Sequence, residues 1–193
     1  MTQGDPIARF AGEYERAGVR EEFEVSRCAV ATADERGRPA VRFVLLKGFD
    51  ESGFVFFTNF ESAKARDLAV NPQAEMAFHW HTIGVQVRVR GPVTRVSDLE
   101  ADAYFASRDR GSQLGAWASR QSSPLDRRES LEAAVRETAK RFTGVTVERP
   151  PFWGGYRIAP ESIEFWENRD DRLHDRWLYE RDGNGWRVLR LCP

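Results

Sequence analysis

Near its carboxyl end the chain reads EFWENRDDRLHDRW, from Glu164 to Trp177. Charged side chains are packed between tryptophans there, and one of only three histidines, His174, sits among them. Taken alone, the stretch is open to three readings: a solvated turn between strands, part of a metal site, or the working loop of an enzyme. An imidazole changes charge near neutral pH, which suits proton handling or orientation of a substrate. A planar guanidinium such as Arg172 can lie flat on an aromatic ring.

Four other stretches carry chemistry-bearing types at useful spacing. In HWH, His79 and His81 lie two apart on a strand and share a face. Two imidazoles can begin a metal site, but such a site needs further ligands. Half-buried strand histidines are the simpler reading, and no metal is expected. In VRFVLLK, Arg42 and Lys47 stand five apart, on opposite faces unless the strand bends or bulges. They read either as solvated strand ends or as two cations gripping separate anionic groups. TNFESAKA is a strand end running into a helix start, where Thr58, Ser62 and Lys64 offer hydroxyls, free backbone N–H groups and a cation suited to phosphate. In YFASRDRGSQLGAWASRQSS, Tyr104 and Arg108 are four apart and would share a helix face, with Ser112 one turn on. A phenol, a guanidinium and a hydroxyl can all donate to one phosphate. A polar helix face in water is the plainer alternative.

The elements that must hold these residues follow from periodicity. Asp5 and Pro6 start a helix carrying Ile7, Phe10, Ala11 and Tyr14, which Gly18 can end. CAVATADERGRPAVRFVLLKGFDESGFVFFTN reads as three strands, turning at Gly37 and Gly53. AEMAFHWHTIGVQVRVRGPVTRV reads as a hairpin turning near Thr82 to Gly84. Helices are expected after NFES, from Ser97 with capping-box spacing to Glu100, over SQLGAWAS, and after Ser123-Pro124, the last with Leu131, Val135, Thr138 and Phe142 on one stripe. The tail returns to strands, ending in a hairpin that turns at Asp182 to Gly185. About eight strands, mostly antiparallel, with added helices predict a mainly β, α+β fold: a β-barrel with helical additions and Greek-key-like order. One domain is expected over residues 1–193, with a helix at 6–18, barrel strands at 24–96, a helical insertion at 97–142, and strands with an active-site loop at 152–193.

Composition bounds the partners. With 31% charged residues of mixed sign and a net charge of -1, no pull toward nucleic acid is expected. No apolar run is long enough for a membrane helix, and the first ten residues lack a secretory pattern, so the cytoplasm is the expected location. Cys28 and Cys192 are read as two reduced thiols.

Together, RFVLLK, FFTN, SAK, HTIGVQV, YFASRDRGSQLGAWASRQSS, FWGGYRIAP, IEFW and RLHDRW, in this order, resemble the pyridoxine (pyridoxamine) 5′-phosphate oxidase family. The resemblance implies a split-barrel homodimer with flavin mononucleotide (FMN) in clefts between the subunits. It implies flavin contacts from Arg42, Phe43, Val44, Leu45, Leu46, Lys47, Phe57, Thr58, Lys64, Gln86, Gln121, Ser122, Trp166 and Arg176. Arg42, Lys64 and Ser122 are the implied contacts of the cofactor phosphate. Lys47, Tyr104, Arg108 and Ser112 are implied to hold the substrate phosphate, and Arg172 and His174 to close over the substrate ring as the catalytic pair. The implied reaction is oxidation of pyridoxine or pyridoxamine 5′-phosphate to pyridoxal 5′-phosphate, with O2 reduced to hydrogen peroxide.

Two departures stand out. Many members carry an arginine directly before the lysine of the SAK block, where this chain has Ala63. One charged hydrogen bond to the cofactor phosphate is lost with it, at most about 1.5–3 kcal/mol. Longer members also have an amino-terminal segment that folds over the substrate, whereas this sequence starts almost at the first family helix. Two alternatives follow: a flavin oxidase of the phenazine-biosynthesis branch, which acts on a ring without phosphate, and a non-catalytic flavin-binding split barrel. The intact phosphate quartet opposes the first, and retention of Arg172 and His174 opposes the second.

Overall fold

Strict alternation of apolar residues builds the sheet. Val85, Val87 and Val89 point inward and are buried, while Gln86 and Arg88 between them face outward. The computed structural model describes residues 4–193. It contains helices α1 (Pro6–Arg20), α2 (Ala63–Val70), α3 (Asp98–Ala106), α4 (Arg110–Ala118) and α5 (Arg128–Arg141). Its strands are β1 (Arg27–Ala33), β2 (Pro39–Leu45), β3 (Gly48–Asp50), β4 (Gly53–Asn59), β5 (Gln73–Trp80), β6 (Val85–Arg95), β7 (Trp153–Ile158), β8 (Ser162–Glu167), β9 (Asp175–Asp182) and β10 (Gly185–Leu191).

The strands run in the order β10-β9-β8-β6-β5-β1-β2, and β3, β4 and β7 form a second run joined to the first where β7 pairs with β6. Every pairing is antiparallel. Strand β6 makes the join: Val85 to Arg90 pair with β8, and Val93 to Arg95 pair with β7. Gly91 marks the change of partner, and a Cβ there would lie 1.9 Å from the Ala159 carbonyl oxygen. Only glycine admits that approach.

Helix α1 plugs one end. Asp5 caps it by accepting from the Ile7 N–H at 2.9 Å. Phe10 is fully buried, its ring 4.8 Å from Phe49, 4.8 Å from Phe54 and 5.0 Å from Phe78. A second, smaller core of Phe105, Phe142, Val147 and Trp153 packs α3 to α5 against β4 and β7. This second core positions the site.

Several sequence expectations need correction. Helix α1 runs past Gly18 to Arg20, because Gly18 keeps helical geometry and the chain turns extended only at Glu21. The run to Asn59 holds four strands, and the total is ten. The extra break falls at Leu46 and Lys47, whose N–H groups donate to Ser26 and Val55 respectively, both at 2.8 Å. Helix α5 begins at Arg128, four residues beyond Pro124, and none of its residues is fully buried. Phe142, just past its end, makes the core contact. The Ser97 cap forms at 3.2 Å, but the Glu100 carboxylate does not return to it and pairs with Arg157 instead.

Candidate active site

The break after Leu45 answers the question about Arg42 and Lys47. Arg42 turns inward toward β1 and α2, while Lys47 is exposed at the mouth of a cleft. That cleft, of about 290 Å³, is lined by Phe43, Val44, Leu45, Lys47, Phe57, Thr58, Lys64, Tyr104, Arg108, Gln121 and Trp153. Ser112 lines an adjoining cleft of about 300 Å³, which shares Arg108, Gln121 and Trp153 as a common wall.

At the inner end lies Lys64, in the first turn of α2. Its ammonium donates to Thr58 Oγ1 at 2.9 Å, Gln121 Oε1 at 3.0 Å and Ser62 Oγ at 3.3 Å. These are neutral acceptors. Burial, and secondarily the charge of Arg42, pull its pKa down to about 8. A buried lysine beside an arginine, at a helix amino terminus, is poised for an anion.

At the outer end, Tyr104, Phe57 and Trp153 form an aromatic stack. Phe57 lies 4.1 Å from Tyr104 and 5.3 Å from Trp153, between ring centroids. Arg108 was expected on a shared helix face with Tyr104; instead it lies beyond the end of α3, over the Trp153 ring at 4.8 Å. Its Nη1 is buried and has no hydrogen-bond partner. Burial pulls this guanidinium below its usual value. A solvent-excluded N–H without an acceptor costs free energy, and this one is not itself open to the cleft that the Arg108 side chain lines. Lys64 at one end of the cleft, with Arg42 near enough behind it to lower its pKa, and Lys47 and Arg108 at the other, make a donor set that fits a phosphorylated ligand.

The remaining expected residues form a separate group. Gln86 stands opposite Trp166, and Trp166 opposite Arg176, in one row across β6, β8 and β9. Arg176 donates to the buried Glu164 at 2.8 Å and to the Cys192 carbonyl at 3.0 Å. The His174 ring lies 4.4 Å from Trp166, and its Nδ1 accepts from the Arg169 N–H at 3.3 Å. Arg172 is exposed, and both it and Asp171 hold left-handed backbone, with φ of 60° and 55°. Among the described residues, no hydrogen bond joins this row to the cleft. Leu46 is buried behind β2, and Ser122, with φ of 68°, lines a third groove between α4 and α5. His79 and His81 are exposed, not half-buried, with rings 6.0 Å apart. Among the described residues, no group of three or more His, Cys, Asp and Glu side chains could hold a metal, and no helix is long and apolar enough to cross a membrane.

Sequence reasoning missed Trp153, which carries Arg108, and Thr32, Asp67 and Glu164, which hold the arginines 42 and 176. Trp153 had a visible signal, as a large aromatic directly before Gly154-Gly155. The other three had none.

Residues 18–142 match the family model described as pyridoxamine 5′-phosphate oxidase. The chain belongs to that family. Residues 153–193 match the family's C-terminal dimerisation region, which supports assembly as a homodimer. The pyridoxine/pyridoxamine 5′-phosphate oxidase of Anaeromyxobacter dehalogenans is 57% identical over 189 residues, covering 98% of this chain and 96% of that protein. The one from Myxococcus xanthus DK1622 is 51% identical over 193 residues, covering 100% and 94%. The chain is an oxidoreductase of this family, and a flavin cofactor goes with membership. Among solved structures, PhzG from Burkholderia lata 383, in complex with tetrahydrophenazine-1-carboxylic acid, superposes with a TM-score of 0.93 at 33% identity, covering 100% of this chain and 94% of PhzG. A pyridoxamine 5′-phosphate oxidase-related, FMN-binding protein from Nostoc punctiforme gives 0.78 at 21% identity, covering 100% and 99%, and supports the split-barrel fold alone.

Proposed function

We propose that the chain oxidises pyridoxine 5′-phosphate or pyridoxamine 5′-phosphate to pyridoxal 5′-phosphate, with FMN as cofactor. The observation that carries this reading is the convergence of Lys47, Tyr104 and Arg108 with the buried Lys64 on one cleft. Two cations and the hydroxyls of Tyr104 and Ser112 then take the substrate phosphate by charge-assisted hydrogen bonds.

FMN, when bound, would take a hydride from the substrate's alcohol or amine carbon and pass the electrons to O2, giving hydrogen peroxide; the alcohol then yields the aldehyde directly, and the amine yields an imine that water hydrolyses to the aldehyde and ammonia. Arg42, Lys64 and the amino end of α2 hold its phosphate; Ser122, the third implied contact, lines the neighbouring groove and would have to turn toward them. Thr58, Phe57, Gln121 and the backbone of Phe43 to Leu46 hold the rest along β2 and β4. Anchoring both phosphates on one rigid wall fixes the register of the two rings, and proximity of this kind is where binding energy becomes rate.

The second protomer of a homodimer supplies the other group. Gln86, Trp166 and Arg176 face the flavin, Arg172 lies on the substrate ring, and His174 orients it or handles its proton. A two-chain site accounts for the separation of the row from the cleft within one chain. The edge strand β2 presents Val41, 70% exposed, and Phe43, 75% exposed, as an apolar surface for that partner.

The likeness to PhzG favours one second reading, an oxidase of a tricyclic ring without phosphate. Aerobic turnover separates the two. With pyridoxine 5′-phosphate, the first reading expects aldehyde and peroxide in equal amounts. Turnover of a reduced phenazine carboxylate, with none of the phosphate ester, would support the second.

A further inference from the structure

Arg42 does not reach its place unaided. It stands opposite Val30 in the β1–β2 pair, and its side chain crosses β1. Nη1 donates to the Val30 carbonyl at 3.1 Å and to Thr32 Oγ1 at 2.7 Å, while Nη2 lies 3.6 Å from Asp67 on α2. The Thr32 hydroxyl donates to the same Asp67 carboxylate at 2.5 Å. A hydroxyl has one proton and two lone pairs. With that proton committed to Asp67, the Thr32 oxygen can offer Arg42 only acceptance. Thr32 is buried, and neither it nor Asp67 lines the cleft.

We propose that Thr32 and Asp67 are a positioning pair, which fixes Arg42 so that its remaining N–H donors serve a flavin phosphate held beside Lys64. The proposal rests on the cofactor-phosphate reading given above. Position 63, directly before Lys64, is alanine, and Arg66, two residues on, donates to the Glu61 carbonyl, so neither takes over if Arg42 swings away. Asp67 itself is no phosphate ligand: an ionised carboxylate has no donor to give. It acts through Thr32 and Arg42.

The test uses the full-length chain stripped of flavin, titrated with FMN and with riboflavin, which lacks the phosphate. Thr32→Val should lose about tenfold in FMN affinity, as expected for one hydrogen bond to a charged group, and leave riboflavin affinity unchanged. Thr32→Ser should restore the FMN value. Asp67→Asn should also lower the preference for FMN over riboflavin, because the carboxylate takes the Thr32 proton and pairs directly with Arg42 Nη2; an unchanged preference would count against the pair. A Thr32→Val chain that keeps the wild-type preference for FMN overturns the proposal. So does one that loses both flavins equally, since that reports damage to the fold. A wild-type chain with no preference for FMN over riboflavin overturns the cofactor-phosphate reading itself, and the proposal with it.

Discussion

The guanidinium carbon of Arg108 sits 4.8 Å from the Trp153 ring centroid, and one of its nitrogens is sealed from water without an acceptor. The cation–π contact holds the side chain against the cleft wall. Arg108→Ala should therefore raise KM for the phosphorylated substrate by about 10- to 100-fold, the loss of one charged hydrogen bond, with a much smaller change in kcat. Thermal stability should hold or rise, because an unsatisfied buried donor is removed. An unchanged KM would exclude Arg108 from the phosphate subsite.

Lys64 makes a pH prediction. Its pKa falls from 10.5 in the unfolded chain to about 8 when folded. Between these values the unfolded chain binds more protons, so the stability of the flavin-free protein should rise with pH across that window. Below pH 8 the penalty for burying the ammonium is present in full. A phosphate dianion favours the charged form, so binding FMN above pH 8 takes up a proton. FMN affinity should weaken as pH climbs past about 8, beyond any change seen with riboflavin. Titrations of Lys64→Met should show no such difference between the two flavins.

Glu164 is buried and receives Arg176 at 2.8 Å and Arg88 at 3.2 Å. Neutralising it takes the carboxylate from Arg176, while Arg88 keeps its pairing with Glu75. Glu164→Gln should cost about 1–3 kcal/mol in urea unfolding, and it should also weaken riboflavin binding by loosening Arg176. A variant as stable as wild type would show that the arginines find other partners.

Gly91→Ala puts a methyl 1.9 Å from the Ala159 carbonyl oxygen, a backbone atom that cannot turn aside. The two sheet runs join there. About 3 kcal/mol of stability should be lost, at the upper end for an overpacked site, read as a lower urea midpoint.

Much of this architecture is legible in the sequence because it depends on near neighbours. The Val85, Val87, Val89 alternation, the turn glycines 37, 53 and 183 with positive φ, and the Asp5 and Ser97 caps are all local signals. The break at Leu46 and Lys47 is not, because VRFVLLKGF is one apolar run and the partners that split it, Ser26 and Val55, come from elsewhere in the chain. The cleft was legible only as a set of types. Tyr104 and Arg108 suggested a shared helix face, yet it is Trp153, far along the chain, that aims Arg108. Thr32 and Asp67 looked like ordinary polar residues because their role exists only once β1 and α2 pack together.

The central claim is that this chain passes a hydride from a phosphorylated pyridine to its flavin. The most direct measurement is anaerobic rapid mixing of the flavin-loaded protein with pyridoxine 5′-phosphate, and with pyridoxine for comparison, following the flavin absorbance. The phosphate ester should bleach the flavin at concentrations where pyridoxine leaves it oxidised, with colour returning when air is admitted. A flavin that stays oxidised under saturating pyridoxine 5′-phosphate would contradict it.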